Sequence, residues 1–200
     1  MGKVFFDLGM SLDGYVAGPN ARPGNPIGDG GPKLHTWMYR TAAFAELIGG
    51  APTDRPATED DALIRRTIER SGATVMGRNM FDEGEVGWPE DAPFRHQVFV
   101  VTNRAREPWA RKGGTTFHFV TDGIDSALAQ AKHAAGDKDV RIAGGADIVR
   151  QYLAAGLIDE GNLHVAPVLL GAGVRLFDGL PDPGAVKLTS PFAHLRFQIS

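Results

Sequence analysis

Apolar residues follow two rhythms along this chain. Short, nearly unbroken apolar runs at residues 3–10, 73–76, 97–102, 115–120 and 162–170 have the length and β-forming content of strands covered on both faces. Between them, apolar positions recur every three or four residues and predict helices. Over 34–48 these positions are Leu34, Trp37, Met38, Thr41, Phe44, Ala45 and Ile48, closed by Gly49-Gly50. A second helix begins after Thr58, with Asp61 three positions on in the manner of a capping box. Leu63, Ile64, Thr67 and Ile68 form its apolar face, and Gly72 ends it. A third spans 125–135, with Ala127, Leu128 and Ala131 inward, and stops at Gly136. Residues 140–157 join both rhythms: a short buried strand, the pair Gly144-Gly145, then an amphipathic helix.

The intervening segments are turns and loops. Asp13-Gly14 is a turn signal, and residues 15–17 predict a short extended piece. Residues 19–32 carry Pro19, Pro23, Pro26 and Pro32 among several glycines, so no helix survives there. A loop of this length in a compact domain is often a lid or a binding loop. Residues 77–81 read as a strand-to-glycine turn, 83–94 as loop, and 186–189 with 195–199 as two closing strands. Alternating strands and helices call for an α/β fold with a largely parallel sheet. The two closing strands have no helix between them and predict an antiparallel C-terminal edge. With no internal repeat, residues 1–200 are expected to form a single domain.

Composition narrows the function classes. The 200 residues are 42% hydrophobic and 22% charged, as in globular proteins. A net charge of −3 gives no basic excess for a nucleic-acid partner, and no apolar run is long enough to span a bilayer. The first residues enter a strand without a signal-peptide core, so a cytoplasmic location is expected. Cysteine is absent, which removes disulfides, thiolate metal sites and cysteine nucleophiles. The six histidines show no metal-ligand spacing, and no metal is expected.

Three strand ends carry the candidate chemistry: Gly77-Arg78, Thr102-Asn103-Arg104 and Gly144-Gly145. In open α/β sheets, ligands bind beyond the carboxyl ends of the strands. A glycine followed at once by a helix lets a phosphate approach bare N–H groups at a positive helix end. Arg78 and Arg104 suit one further phosphate, because the guanidinium fork matches it bidentately. Together these turns point to a dinucleotide with an extra phosphate, NADPH. The Gly-x-Gly-x-x-Gly fingerprint is missing.

The order of Ser11-Leu12-Asp13-Gly14, Val75-Met76-Gly77-Arg78, Val98 to Thr102, Ile142-Ala143-Gly144-Gly145 and Val165-Ala166-Pro167-Val168-Leu169-Leu170-Gly171 resembles the dihydrofolate reductase-like family. Within it, the chain is most similar to the branch sharing the reductase domain of bifunctional riboflavin biosynthesis proteins, the RibD C-terminal domain. The resemblance covers nearly the whole chain, leaving an inserted loop and helix at about 19–56. It implies a dihydrofolate reductase-like, mostly parallel mixed sheet of about eight strands flanked by helices, with NADPH as hydride donor. It further implies cofactor contacts at Val16 and Ala17; at Gly77, Arg78, Asn79 and Met80; at Thr102, Asn103 and Arg104; and at Gly144, Gly145, Ala146, Asp147 and Ile148.

On the substrate side the resemblance implies two acids. Asp61 falls at the position of a protonation-assisting carboxylate, although three acids in a first turn also simply complement the helix dipole. Asp13 falls near the nicotinamide, although Asp-Gly also simply forms a turn. Arg95 matches an arginine that grips a substrate carboxylate, and Trp37 on the inserted helix can cover a planar substrate. His164 alternates with apolar neighbours and is expected to be structural. The zinc deaminase signature of the bifunctional enzymes needs cysteine and is absent.

Three functions remain open. One is an NADPH-dependent reductase of a small pterin-like or pyrimidine-like heterocycle, or of a carbonyl or imine. Another is a stand-alone 5-amino-6-(5-phosphoribosylamino)uracil reductase. The last is a non-catalytic nucleotide- or pterin-binding module. A homodimer is compatible with all three.

Overall fold

The computed structural model describes residues 2–50 and 56–180. The chain opens with strand β1 (Val4–Ser11) and the short β2 (Tyr15–Ala17). A 3₁₀ turn (Gly31–His35), α1 (Thr36–Tyr39) and α2 (Ala42–Leu47) follow the proline-rich loop. Then come α3 (Glu59–Arg70), β3 (Ser71–Gly77), α4 (Arg78–Glu85), β4 (Gln97–Val101), β5 (Trp109–Ala110) and β6 (Thr116–Val120). The described chain ends with α5 (Ile124–Ala135), β7 (Asp139–Gly144), α6 (Ala146–Ala154), β8 (Glu160–Ala166) and β9 (Val174–Arg175).

Seven strands form one sheet in the order β5-β6-β4-β3-β7-β1-β8, and β2 pairs with β9 in a separate small antiparallel sheet. All pairings in the large sheet are parallel except β5 with β6. This is the expected α/β, mostly parallel architecture. The antiparallel edge among the described residues lies at β5, on the far side from β8. The expected C-terminal strands at 186–189 and 195–199 lie outside the described residues.

Both sheet faces are covered, which explains the unbroken apolar runs. On one face Val75, Phe99, Ile142 and Phe6 pack with Ala127, Leu128 and Ala131 of α5 and with Val149 and Tyr152 of α6. Tyr152 is fully buried, and its hydroxyl donates to the Ile124 carbonyl at 2.8 Å, so its polar end is satisfied. On the other face Met76, Val98, Val100 and Phe117 surround Phe81 of α4.

Two local departures from the sequence expectation have clear causes. The helix expected over 34–48 breaks at Thr41, which is extended (φ −86°, ψ 148°). Its hydroxyl donates to the Met38 carbonyl at 2.7 Å and accepts from Phe44 N–H at 3.1 Å, so it caps a new helix and does not continue the old one. The second departure is α4, which replaces the expected turn and loop from 77 to 85. Arg78 and Asp82 lock its first turns at i,i+4 (2.6 Å), and Phe81 anchors it in the core. Residues 167–170, expected as strand, lie beyond the end of β8.

Candidate functional site

The carboxyl ends of β4, β3, β7 and β1 share one edge because these strands are parallel neighbours. Two helices start there directly from adjacent strands. Gly77 ends β3 and is the N-cap of α4, and Gly145 follows β7 and is the N-cap of α6. Neither helix has a side-chain cap. Their first N–H groups and positive dipole ends are therefore offered to whatever lies in front of them. The Gly144–Gly145 peptide is cis. A cleft of about 1230 Å³ opens before both helices, lined by Val16 and Ala17, by residues 77–80 and by residues 144–148. A Cβ on Gly145 would meet nothing within 4 Å, so its missing side chain leaves open cleft. These features fit a dinucleotide pyrophosphate.

The loop over residues 19–30 forms another wall. Ile27 lines the cleft in the left-handed region (φ 63°), which is costly for a β-branched residue. It is held there by Gly18 N–H donating to its carbonyl (2.8 Å) and by its own N–H donating to Glu83 Oε2 of α4 (3.0 Å).

Arg78 and Arg104 converge on one carboxylate. Arg78 Nε donates to Asp82 Oδ1 at 2.6 Å and Arg104 Nη2 donates to Asp82 Oδ2 at 2.8 Å. Arg78 lines the cleft, whereas Thr102, Asn103 and Arg104 stand beside it. Thr102 Oγ1 accepts from Arg104 N–H at 3.0 Å and so shapes that turn. Asp147 is also at the cleft, accepting from Gln151 Nε2 at 2.8 Å.

A polar cluster on the sheet face lines the same cleft; the sequence pointed to Trp37 for the substrate and took His164 as structural, and it missed Asp7 and Arg141. Asp7 of β1 lies opposite Asn162 of β8 in register, with His164 two residues further on. His164 Nε2 lies 3.1 Å from Asp7 Oδ1, and Thr67 Oγ1 lies 3.3 Å from Oδ2. Arg141 of β7 approaches Oδ1 at 3.9 Å. Burial pushes the Asp7 carboxyl upward, but the His164 hydrogen bond and the Arg141 charge outweigh it and bring it below the ordinary aspartate value. Trp37 packs on the His164 ring with centroids 4.7 Å apart. The Trp37 Nε1 and Arg141 Nε atoms are buried and lack a hydrogen-bond partner among the described residues. His35 sits against Gly9, where a Cβ would come within 3.0 Å of its ring, and burial above all pushes its imidazole down to about 4. The signal available in the sequence was polarity interrupting apolar strands: Asp7 within Val-Phe-Phe-Asp-Leu, and Arg141 within Val-Arg-Ile-Ala.

Asp13, Asp61 and Arg95 do not line this cleft. The Asp13 carboxylate accepts from Gly171 N–H (2.7 Å) and Leu170 N–H (3.1 Å), tying the loop after β8 to the turn after β1. Asp61 is 3% exposed and accepts from Ala43 N–H (2.9 Å), Thr58 N–H (2.9 Å) and Thr58 Oγ1 (2.8 Å). It thereby closes the capping box of α3 and holds the start of α2. Arg95 has φ 57°, and its N–H donates to Thr115 Oγ1 at 2.9 Å. Its side chain lies in a shallow hollow between α2 and α3.

Hydrogen bonding holds both aspartates as anions. The Ser11 hydroxyl and the Gly171 and Leu170 N–H groups hold Asp13 at about 2, and the Ala43 N–H, then Thr58, hold Asp61 at about 2, against an ordinary 3.8. A carboxyl depressed in the folded state stabilises the fold above its unfolded pKa and loses that contribution as pH falls through the folded one. Thermal stability should therefore drop between about pH 4 and pH 2. Asp61→Asn should flatten that decline and lower Tm by about 5 °C at pH 7, from the weakened caps. Differential scanning fluorimetry across pH checks both.

Among the described residues, no group of three His, Asp or Glu side chains is placed to hold a metal, and no helix is long and apolar enough to cross a membrane.

Comparison with known proteins agrees with this architecture. The chain is 37% identical over 177 residues to the uncharacterized protein YyaP of Bacillus subtilis (strain 168), covering 88% of this chain and 80% of YyaP. It is 27% identical over 114 residues to the uncharacterized protein YwjB of the same organism, covering 57% of this chain and 63% of YwjB, less than two thirds of that protein's length. A crystal structure from Shewanella sp. PV-4, of a protein provisionally assigned to riboflavin biosynthesis, superposes with a TM-score of 0.58 at 27% identity, covering 90% of this chain and 85% of that one. The family model of the RibD C-terminal domain matches residues 2–196, and the chain belongs to that family.

Proposed function

We propose that this protein is an NADPH-dependent reductase of a small heterocyclic, carbonyl or imine substrate. The observation that carries this is the pair of uncapped helix N-termini opening side by side on one cleft, with open space at Gly145. Residues 77–80 and 144–148 hold the pyrophosphate, Val16 and Ala17 flank the nucleotide, and Arg78 with Arg104 meet the additional phosphate. NADPH, when bound, supplies a hydride to an electrophilic carbon of the substrate. The protein's own part is to align the rings, exclude water and provide polar contacts at the substrate. Trp37 and the polar face around Asp7 form the substrate end. Asp61 is structural in this proposal, and so is Asp13, because both are fixed as anions outside the cleft.

Membership of the RibD C-terminal family and the likeness to the Shewanella protein favour 5-amino-6-(5-phosphoribosylamino)uracil as substrate. The test has two stages. NADPH should quench intrinsic tryptophan fluorescence and bind at least about tenfold more tightly than NADH, since guanidinium–phosphate pairing is strong and bidentate. Arg104→Ala should remove most of that preference. Absorbance at 340 nm then follows NADPH oxidation with the phosphoribosylaminouracil, dihydrofolate and simple imines. Binding without oxidation by any of them would favour a non-catalytic binding module. Absence of NADPH binding would sink the proposal.

A further inference from the structure

Hydride reduction of a C=N or C=O bond leaves an electron pair on the heteroatom, and that atom must gain a proton. The two acids suggested by the sequence are unsuited to supply it. Asp13 and Asp61 are saturated by N–H donors and do not line the cleft. The Glu83 carboxylate accepts the Ile27 N–H and holds a loop.

We propose that His164, held by Asp7, is the proton donor of this active site. This rests on the reductase proposed above. His164 lines the cleft from the middle of β8. Its Nε2 is taken by Asp7, which leaves Nδ1 as the ring atom available to a substrate. A carboxylate behind an imidazole fixes its orientation and stabilises the imidazolium. The Trp37 ring against it adds a second stabilising contact, since an aromatic face attracts a cation.

The charged and titratable groups around it come from three further elements. Asp7 on β1 favours the cation, Arg141 on β7 opposes it, and His35 on the 3₁₀ turn is held neutral by burial. Arg141 sits three residues before Gly144 on β7, so the cluster lies roughly 10 Å from the phosphate-binding turn along the strand. That spacing keeps it clear of the pyrophosphate and leaves room in the same cleft for the reactive end of the cofactor to lie beside it.

The step balances. The substrate carbon takes up the hydride with its two electrons from the reduced nicotinamide, and the π pair moves to the heteroatom. The Nδ1–H bond of the imidazolium breaks as the new N–H or O–H bond forms, leaving His164 neutral and the cofactor as NADP⁺. Solvent then reprotonates the ring. Asp7 acts through His164 and is a positioning residue.

The decisive measurement needs no substrate. The imidazole of His164, assigned by comparison with His164→Gln, is titrated by NMR in the complexes with NADPH and with NADP⁺, and cofactor binding is followed independently at the amides of Gly77 and Gly145. The nicotinamide ring is neutral in NADPH and cationic in NADP⁺. A ring close to His164 must therefore lower its titration midpoint in the NADP⁺ complex, by at least about half a unit. Equal midpoints in the two complexes, with both cofactors bound, would overturn the proton-donor assignment and leave the reductase standing. No binding of either cofactor would overturn both.

Discussion

Gly145→Val is expected to weaken NADPH binding by at least about 100-fold while Tm stays within about 4 °C of the wild type. The two halves of that expectation come from the same geometry. Gly145 has φ −63°, a value open to any L-residue, and a Cβ there would meet no protein atom within 4 Å. Only the lower preference for Val than for Gly at a helix N-cap works against the substitution in the fold. The open space is the cleft in front of the α6 N-terminus, where a phosphate needs close approach to backbone N–H groups. A branched side chain would stand in that approach. Loss of the phosphate contact at about 1.4 kcal/mol per tenfold sets the scale of the effect. Calorimetric titration with NADPH, alongside thermal denaturation, reads both halves. Unchanged affinity would mean that the pyrophosphate lies elsewhere.

Phe81→Ala should give the largest loss of stability in the site's framework. Phe81 is fully buried, and Trp88, Trp109, Phe117 and Phe119 surround it edge-on, with centroids between 5.0 and 6.1 Å. Truncation of such a ring costs about 3–5 kcal/mol, from lost burial and from the cavity left behind. For a chain of this size that corresponds to a fall in Tm of roughly 10 °C or more. The same ring fixes α4, and it lies 5.6 Å beneath the Arg78 guanidinium. NADPH affinity should therefore decline together with stability. A loss below about 1 kcal/mol by urea denaturation would show that the aromatic cluster repacks freely.

The fold was largely legible from the sequence, because strands buried on both faces must be apolar throughout and helices on a sheet must be apolar on one side. The glycine turns at Gly77 and Gly145 were legible as stops at the ends of apolar strands, and after Gly145 the helical rhythm was legible too. The break at Thr41 was not, because a threonine on an apolar face does not declare itself a cap, and the new helix start is held further by a carboxylate eighteen residues away, Asp61, which accepts the Ala43 N–H. Asp61 itself drew attention as a candidate acid, yet its burial goes into capping two helices. α4 read as loop because its anchor, Phe81, is held by aromatic residues far along the chain. The Asp7–His164 contact joins residues 157 positions apart across a parallel pairing. Only the register of β1 with β8 brings them together, and a single sequence does not reveal that register.

The central claim is that a dinucleotide lies across the N-termini of α4 and α6. Its most direct test is a ¹H–¹⁵N correlation titration of the whole protein with NADPH. Saturable shifts centred on the amides of residues 77–80 and 145–148, and absent at the opposite ends of β3 and β7, are the predicted result. A saturable titration whose shifts avoid both helix N-termini, or no titration at all, would contradict it.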